Sequence, residues 1–339
     1  MWSKPVSRYL EEPVQSVQKM DYDLLRTRFR HVFLPRRRCV IVANLDSLLS
    51  FLLLRRALDW NLAGVYAPPW LYLSPDESHP ALMALDDAQT IQTSMPVFVG
   101  INVCRLNVHS LGRDILKWTA ESPTPFDQRP GAALNPNLLR GIDRRSLDKR
   151  FPFGLSCFVF CCMAYWFGLD RYQWPPTLAA IFLYANRGYD NLLKRPASAL
   201  RWSKWLAPDD RLGPVFPLAQ GYRALDPKTM ISTSVKFSER LESFGMSRRA
   251  DSIPIDNSSG LSRLRDLAAW LQEITGLEGH LDTFFKRPRR LLMIERLYST
   301  GSRRGYSEMM GSMPFTYSIL GSGGRGIRHD HIRPTAAIE

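Results

Sequence analysis

The stretch from Cys39 to Ala67, "CVIVANLDSLLSFLLLRRALDWNLAGVYA", constrains the fold more than any other part of this chain. "CVIVAN" is a short β-branched run, suited to a parallel strand buried on both faces. "SLLSFLLLRRALDW" is long enough for a helix and consists of strong helix formers. "NLAGVYA" then returns to strand composition. A second apolar run, "MPVFVGINV" (Met95 to Val103), reads as a further strand, and "HSLGRDILKWTA" after it as a helix. Strand, helix, strand, then strand and helix is the grammar of an open α/β sheet. The expected fold class is therefore α/β: an open, mostly parallel sheet with flanking helices, followed by a smaller helix-rich α+β C-terminal region.

At 339 residues the chain has room for two domains of ordinary size. Residues 1–35 read as an amphipathic helical lead-in that places Leu24, Leu25, Phe29, Val32 and Phe33 near one helical face. Residues 36–206 form the α/β domain, and 207–339 a basic region with helices and a terminal strand. "FPFGLSCFVFCCMAYWFGL" (Phe151 to Leu169) carries no charge and approaches the length of a membrane span. Pro152 and Gly154 consume its start and no second span accompanies it, so a central helix buried on all sides is expected. "PPWLYLSPDESHP" reads as a loop presenting Trp70 and Tyr72. "TLAAIFLYAN" suits strand or helix, and "ALRWSKWL" a helix with Leu200, Trp202, Trp205 and Leu206 inward. "GLSRLRDLAAWLQEITGLEGHLDTFFKRPRRLLMIERLYS" gives one or two helices by its apolar spacing. The tail suggests a strand ending in the glycine turn "GSGGRG". His329-Asp330-His331 then falls near a frayed end, and no metal is assigned to it.

Charge narrows the function classes. The formal net charge is +13, carried mostly by arginine. Such an excess favours polyanionic partners, nucleic acid first. Arginine suits phosphate because its planar fork donates parallel hydrogen bonds. The expected phosphate contacts are Arg36, Arg37 and Arg38, and Lys286, Arg287, Arg289 and Arg290. The cysteines are Cys39, Cys104, Cys157, Cys161 and Cys162, an odd number set in apolar runs, which argues for a reducing compartment. A cytoplasmic location without a membrane partner follows. A protein partner or a second copy of the chain fits the same surface.

Neither phosphate-cradling glycine fingerprint is present, nor a G-x-S-x-G elbow or an H-E-x-x-H helix. The turn in "VIVANLDSLLS" is the remaining place for chemistry, because reactive groups in open α/β sheets sit beyond the carboxyl ends of the strands. Asn44, Asp46, Ser47 and Ser50 there resemble the first motif of the DHH phosphoesterase superfamily, in which a strand ends in N-x-D or D-x-D before a helix of small residues. That resemblance implies an α/β domain over the first 200 residues or so and two divalent cations, usually manganese, that activate a bridging water on a phosphate ester. Family members include single-strand nucleases, cyclic-dinucleotide hydrolases and pyrophosphatases.

The mechanism needs acidic groups at several strand ends, and these are missing. Gly100, Ile101 and Asn102 stand at the second strand end and Asn186 at the next. His109 begins a helix in this reading, and Asp86, Asp87 and Asp190 close no strand. The expectation is a catalytically degenerate DHH-like protein that binds nucleic acid or protein as a subunit of a larger assembly. By association alone, a mobile-element or phage-defence system would suit it. Asp46 would then cap the helix from Ser47, and no cofactor would be bound. One alternative is an active Mn2+-dependent phosphoesterase on single-stranded nucleic acid or cyclic dinucleotides, with Asp46, Asn44 and His109 as candidates and Asp46 the first metal ligand. The other is an unrelated α/β scaffold whose Asp46 only caps a helix.

Overall fold

The computed structural model describes residues 19–74, 95–105, 108–127, 131–168, 181–206, 227–246, 252–255, 258–277, 284, 289–320 and 326–334. Lys286, Arg287, Asp86, Asp87 and most of "GSGGRG" lie outside the described residues. The fold is α/β. Its strands are β1 (Arg38–Val42), β2 (Asn61–Ala67), β3 (Trp70–Leu73), β4 (Val97–Val99), β5 (Ser110–Leu111), β6 (Ala133–Leu134), β7 (Arg289–Thr300), β8 (Thr316–Ile319) and β9 (Gly326–Pro334). They form one sheet in the order β6-β5-β4-β1-β2-β3-β7-β9-β8. The half from β6 to β2 is parallel, and the rest is antiparallel. The parallel half follows one of the two common doubly wound orders, with its switch point between β1 and β4.

Strand alternation divides the core. Cys39 and Ile41 of β1, Val65 and Ala67 of β2 and Val97 and Val99 of β4 face the larger cluster. Val40, Tyr66 and Phe98, one position out of phase, face a smaller cluster closed by Phe315. The larger layer is built on α2 (Leu45–Leu58) and α4 (Leu155–Phe167), which pack on each other. Both are apolar nearly all round, as a helix covered on every side must be. Phe158, Val159, Cys161, Cys162 and Met163 are sealed from solvent, so the uncharged segment is the expected buried central helix. Among the described residues no helix is long and apolar enough to cross a membrane.

The lead-in belongs to this core. In α1 (Tyr22–Arg28) and the turn after it, Leu25, Phe29, Val32 and Phe33 are buried, whereas Leu24 is exposed. Tyr22 stacks on Tyr165 of α4 and donates to the Leu206 carbonyl at 2.6 Å. Further helices are the short α3 (Pro136–Leu139), α5 (Gly188–Lys194), α6 (Pro196–Leu206), α7 (Pro227–Ser243), α8 (Ser258–Thr275) and α9 (Arg303–Gly311). "IFLY" resolves as helix, and α6 turns Leu200, Trp202, Trp205 and Leu206 inward as its spacing predicts.

Three segments depart from their sequence reading, each because a distant partner supplies the backbone hydrogen bonds. "HSLGRDILKWTA" is not a helix: Ser110 and Leu111 pair with β4 and β6, and the Ile115 and Leu116 carbonyls accept from Ile319 N–H and the Tyr317 hydroxyl. "PPWLYL" is strand β3 with Tyr72 buried, so it is no exposed stacking loop. "RRLLMIERLYST" is β7, held between β3 and β9, although its apolar spacing also fits a helix. β7, β9 and β8 thereby continue the same sheet as the N-terminal strands.

His329, Asp330 and His331 lie within β9, paired with β7 and β8. Asp330 on β9 is buried and takes a bidentate pair from Arg296 of β7, at 2.8 Å to each oxygen, and a 2.6 Å bond from the Tyr66 hydroxyl of β2. On the opposite face His329 Nδ1 lies 3.0 Å from His331 Nε2, and its Nε2 is 2.9 Å from the Ser299 hydroxyl. Tyr317 of β8 and Leu297 of β7 stand opposite His329, and Glu295 stands opposite His331. Burial and then His331 lower the His329 pKa below its ordinary 6.5, against the pull of Asp330. The unfolded chain therefore binds that proton better, so stability is full above pH 6.5 and is lost as pH falls from there through the lower folded value. Urea midpoints at about pH 7.5 and about pH 5 should differ more for the native chain than for His329→Gln. Equal differences would remove His329 from the acid response.

Candidate anion site at the carboxyl ends of the parallel strands

At the switch point the chain leaves β1 through Ala43 and Asn44 into α2, and leaves β4 through Gly100 and Ile101. Asn44 is the N-cap of α2, its Oδ1 accepting from Ser47 N–H at 2.7 Å. Asp46 lies in the first turn of α2, but its carboxylate is spent on another helix. Oδ2 accepts from Leu155 N–H at 2.7 Å, and Oδ1 accepts from Ser156 N–H at 2.8 Å and the Ser156 hydroxyl at 2.7 Å. These are the first amides of α4, whose N-cap Gly154 has no side chain to satisfy them. A Cβ on Gly154 would press on the Asp46 carboxylate, with Cγ at 3.0 Å, so glycine is what lets the acid reach the helix end. Asp46 is thus a cap in trans, where the sequence suggests a cap on its own helix.

Arg113, just after β5, places Nε 3.6 Å from Asp46 Oδ2 and donates from Nη1 to the Phe153 carbonyl at 3.3 Å. A buried amide cluster holds the loop that carries it. Asn135 Nδ2 donates to Asn102 Oδ1 at 2.7 Å and to the Asp114 carbonyl at 2.9 Å, and Asn137 Nδ2 donates to the Arg113 carbonyl. Asn102, where a metal carboxylate would stand, is therefore part of a scaffold for an arginine. Arg150 lies close by. Its pKa is lowered by burial and then by the charges of Arg113 and Arg195. A guanidinium does not discharge near neutral pH. The lowering therefore registers chiefly the burial of Arg150, and secondarily repulsion from Arg113 and Arg195 that a bound anion would relieve.

The other predicted residues fall elsewhere. His109 is buried where the chain enters β5. Asp190 is partly exposed and pairs with Lys194 at 3.2 Å and Arg187 at 3.6 Å. Asn186 sits in the turn Ala185–Arg187. Arg36, Arg37 and Arg38 lie at the amino end of β1, away from the switch point. Arg36 is exposed and Arg38 half-buried, but Arg37 is buried and donates to the Met95 carbonyl at 2.9 Å. Arg289 and Arg290 pair in register with Leu73 and Tyr72, which lie level with Val40 and Ile41 of β1. The described members of the two predicted clusters therefore do not share one end of the sheet. Arg113 stands beyond the carboxyl end of β5.

Comparison with protein-family models, with curated proteins and with solved structures finds no match to this chain. The site must speak through its own chemistry. Among the described residues no three histidines, cysteines or carboxylates gather as a metal would require. The Asp46 oxygens already accept N–H and O–H donors and face a guanidinium. The positive ends of α2 and α4 meet at Asp46, with Arg113 beside it and the charge of Arg113 acting on Arg150. That balance suits an anion.

The sequence reading missed Arg113, Arg150 and Arg195 because each stands alone or beside a single lysine. They do follow "SLG", "LDK" and "NLLK", breaks at strand and helix ends where ligand-facing groups collect. Asp46→Ala should lower unfolding stability by about 2–4 kcal/mol, through the lost cap and an unpaired Arg113. Asp46→Asn should also destabilise, because its amide NH2 would confront a donor of α4. Denaturant midpoints of both variants within error of the native value would refute the trans-cap role.

Proposed function

We propose that this protein is a catalytically degenerate DHH-like protein that binds nucleic acid without hydrolysing it, through the cationic cleft at the carboxyl ends of β1, β4 and β5. One observation carries the reading: the carboxylate that would begin a metal centre is consumed in capping α4 and lies beside Arg113. The resemblance contributes the location, and the doubly wound strand order is compatible with it, although fold alone assigns no activity. The formal charge of +13 and the crowding of Arg113, Arg150 and Arg195 supply the preference for phosphate. Arginine in such a cleft neutralises backbone phosphates and releases their counterions, so affinity should follow salt rather than sequence.

The test is binding of single-stranded DNA and RNA across a salt series, with and without Mn2+. Affinity should fall linearly on a log–log plot. Removing Arg113 or Arg150 should flatten the slope by about 0.7 per lost phosphate contact on single strands. Mn2+ should produce no cleavage. Manganese-dependent cleavage abolished by Asp46→Asn would overturn the reading. So would binding that ignores Arg113 and Arg150 but is lost with Arg36 and Arg38.

A further inference from the structure

A cavity of about 410 Å3 opens beside Arg195. Its charged lining is Arg140, Lys149, Lys194, Arg195 and Arg201, against the single carboxylate of Asp148. Rigid elements aim these groups. Arg140 is the C-cap of α3, Lys194 and Arg195 form the joint between α5 and α6, and Arg201 stands on the second turn of α6. The floor is Trp202, whose indole N–H donates to the Lys149 carbonyl at 2.8 Å and whose ring meets Phe151 and Trp205 edge-on. Arg140 lies over that ring, 4.6 Å from its centroid. Its guanidinium also lies 5.5 Å from the Trp205 ring centroid, so two indoles support it.

Among the described residues, neither Arg140 nor Arg201 forms an ion pair, and Asp148 pairs with none of the cations around it. Burial and then Arg201 push the Arg140 pKa down, as expected of a cation facing a cation. The first turn of α6 opens on the same space. Among the described residues the Ser198 hydroxyl on that turn has no hydrogen-bond partner, and a rotation about its Cα–Cβ bond would bring it to a ligand in the cavity. A buried unmet hydroxyl is costly. Lys194 is already paired with Asp190, but Arg140, Lys149 and Arg201 and the start of α6 around one concave volume still exceed what a single bridging phosphodiester needs, since that group carries one charge. A terminal phosphate monoester carries about −1.5 to −2 at neutral pH and three acceptor oxygens. The volume lies within the roughly 300–1,000 Å3 of small-molecule sites, so a sugar fits behind the phosphate.

We propose that this cavity binds a terminal phosphate monoester, Arg140 and Arg201 gripping its oxygens and Ser198 donating to one of them. The ligand is either the end of a nucleic-acid strand, in which case the proposal rests on the nucleic-acid reading above, or a free mononucleotide.

The experiment compares strands of one sequence bearing a 5′-phosphate, a 3′-phosphate or neither, alongside adenosine monophosphate and adenosine at equal ionic strength. A phosphate at one end should tighten strand binding about tenfold over the hydroxyl strand. Arg201→Glu, at an exposed position, and Arg140→Lys, which keeps charge but loses the fork, should each reduce that ratio below about twofold. Arg113→Ala should weaken all strands alike and leave the ratio intact. If no strand binds, the nucleic-acid reading fails. The cavity then stands if adenosine monophosphate, and not adenosine, raises the melting temperature in a way Arg201→Glu abolishes. Equal affinity for all strands with no effect of adenosine monophosphate overturns the proposal. So does a phosphate preference that survives both Arg140→Lys and Arg201→Glu.

Discussion

The Asp46 carboxylate holds the architecture of the site together. It rises from the first turn of α2 and closes the first turn of α4, so one side chain serves the positive ends of two helices. Those helices form the layer that covers the parallel strands, and their relative position is set where the acid reaches across Gly154. Remove the acid and the start of α4 loses the side chain that caps it, since its own N-cap is Gly154. The same group also fixes Arg113, which the buried Asn102, Asn135 and Asn137 hold from below.

This arrangement bears on how a doubly wound sheet acquires a ligand. Helix starts converge beyond the carboxyl ends of its strands, so the switch point is electropositive before any side chain is added. Several acids there would turn it into a cation site. Here the strand ends contribute glycine and asparagine, and arginine follows β5. The single acid is internal to the protein's own hydrogen bonding. The proposed preference for phosphate follows from that difference in side chains on an otherwise shared frame.

Local pattern made much of the parallel half readable from sequence. The short β-branched run of β1, the long apolar α2 and the uncharged α4 each had a composition and length that pointed to the element found, although a membrane span also had to be weighed for α4. Elements whose hydrogen bonds come from far along the chain were hidden. Ser110 and Leu111 are strand because β4 and β6 flank them, and Arg289–Thr300 is strand because β3 and β9 do, neither of which spacing can report. The candidate site was half legible. Asp46 stood out as the polar residue at a strand end, but its partners on α4 lie over 100 positions away. The arginine runs drew attention by being consecutive. The other cations sit on separate elements, singly or in the short pairs Lys149-Arg150 and Lys194-Arg195.

The late arrival of β7 has a consequence for synthesis. β3 ends at Leu73, and the strand that covers its outer edge begins at Arg289. At ribosomal rates of about 5–20 residues per second, that edge waits roughly 10–40 s for its partner. An open apolar edge invites pairing with neighbouring chains. β3 is four residues long and follows Pro68 and Pro69, which lack backbone donors. A short strand behind two prolines offers a poor template to any other nascent chain during that interval.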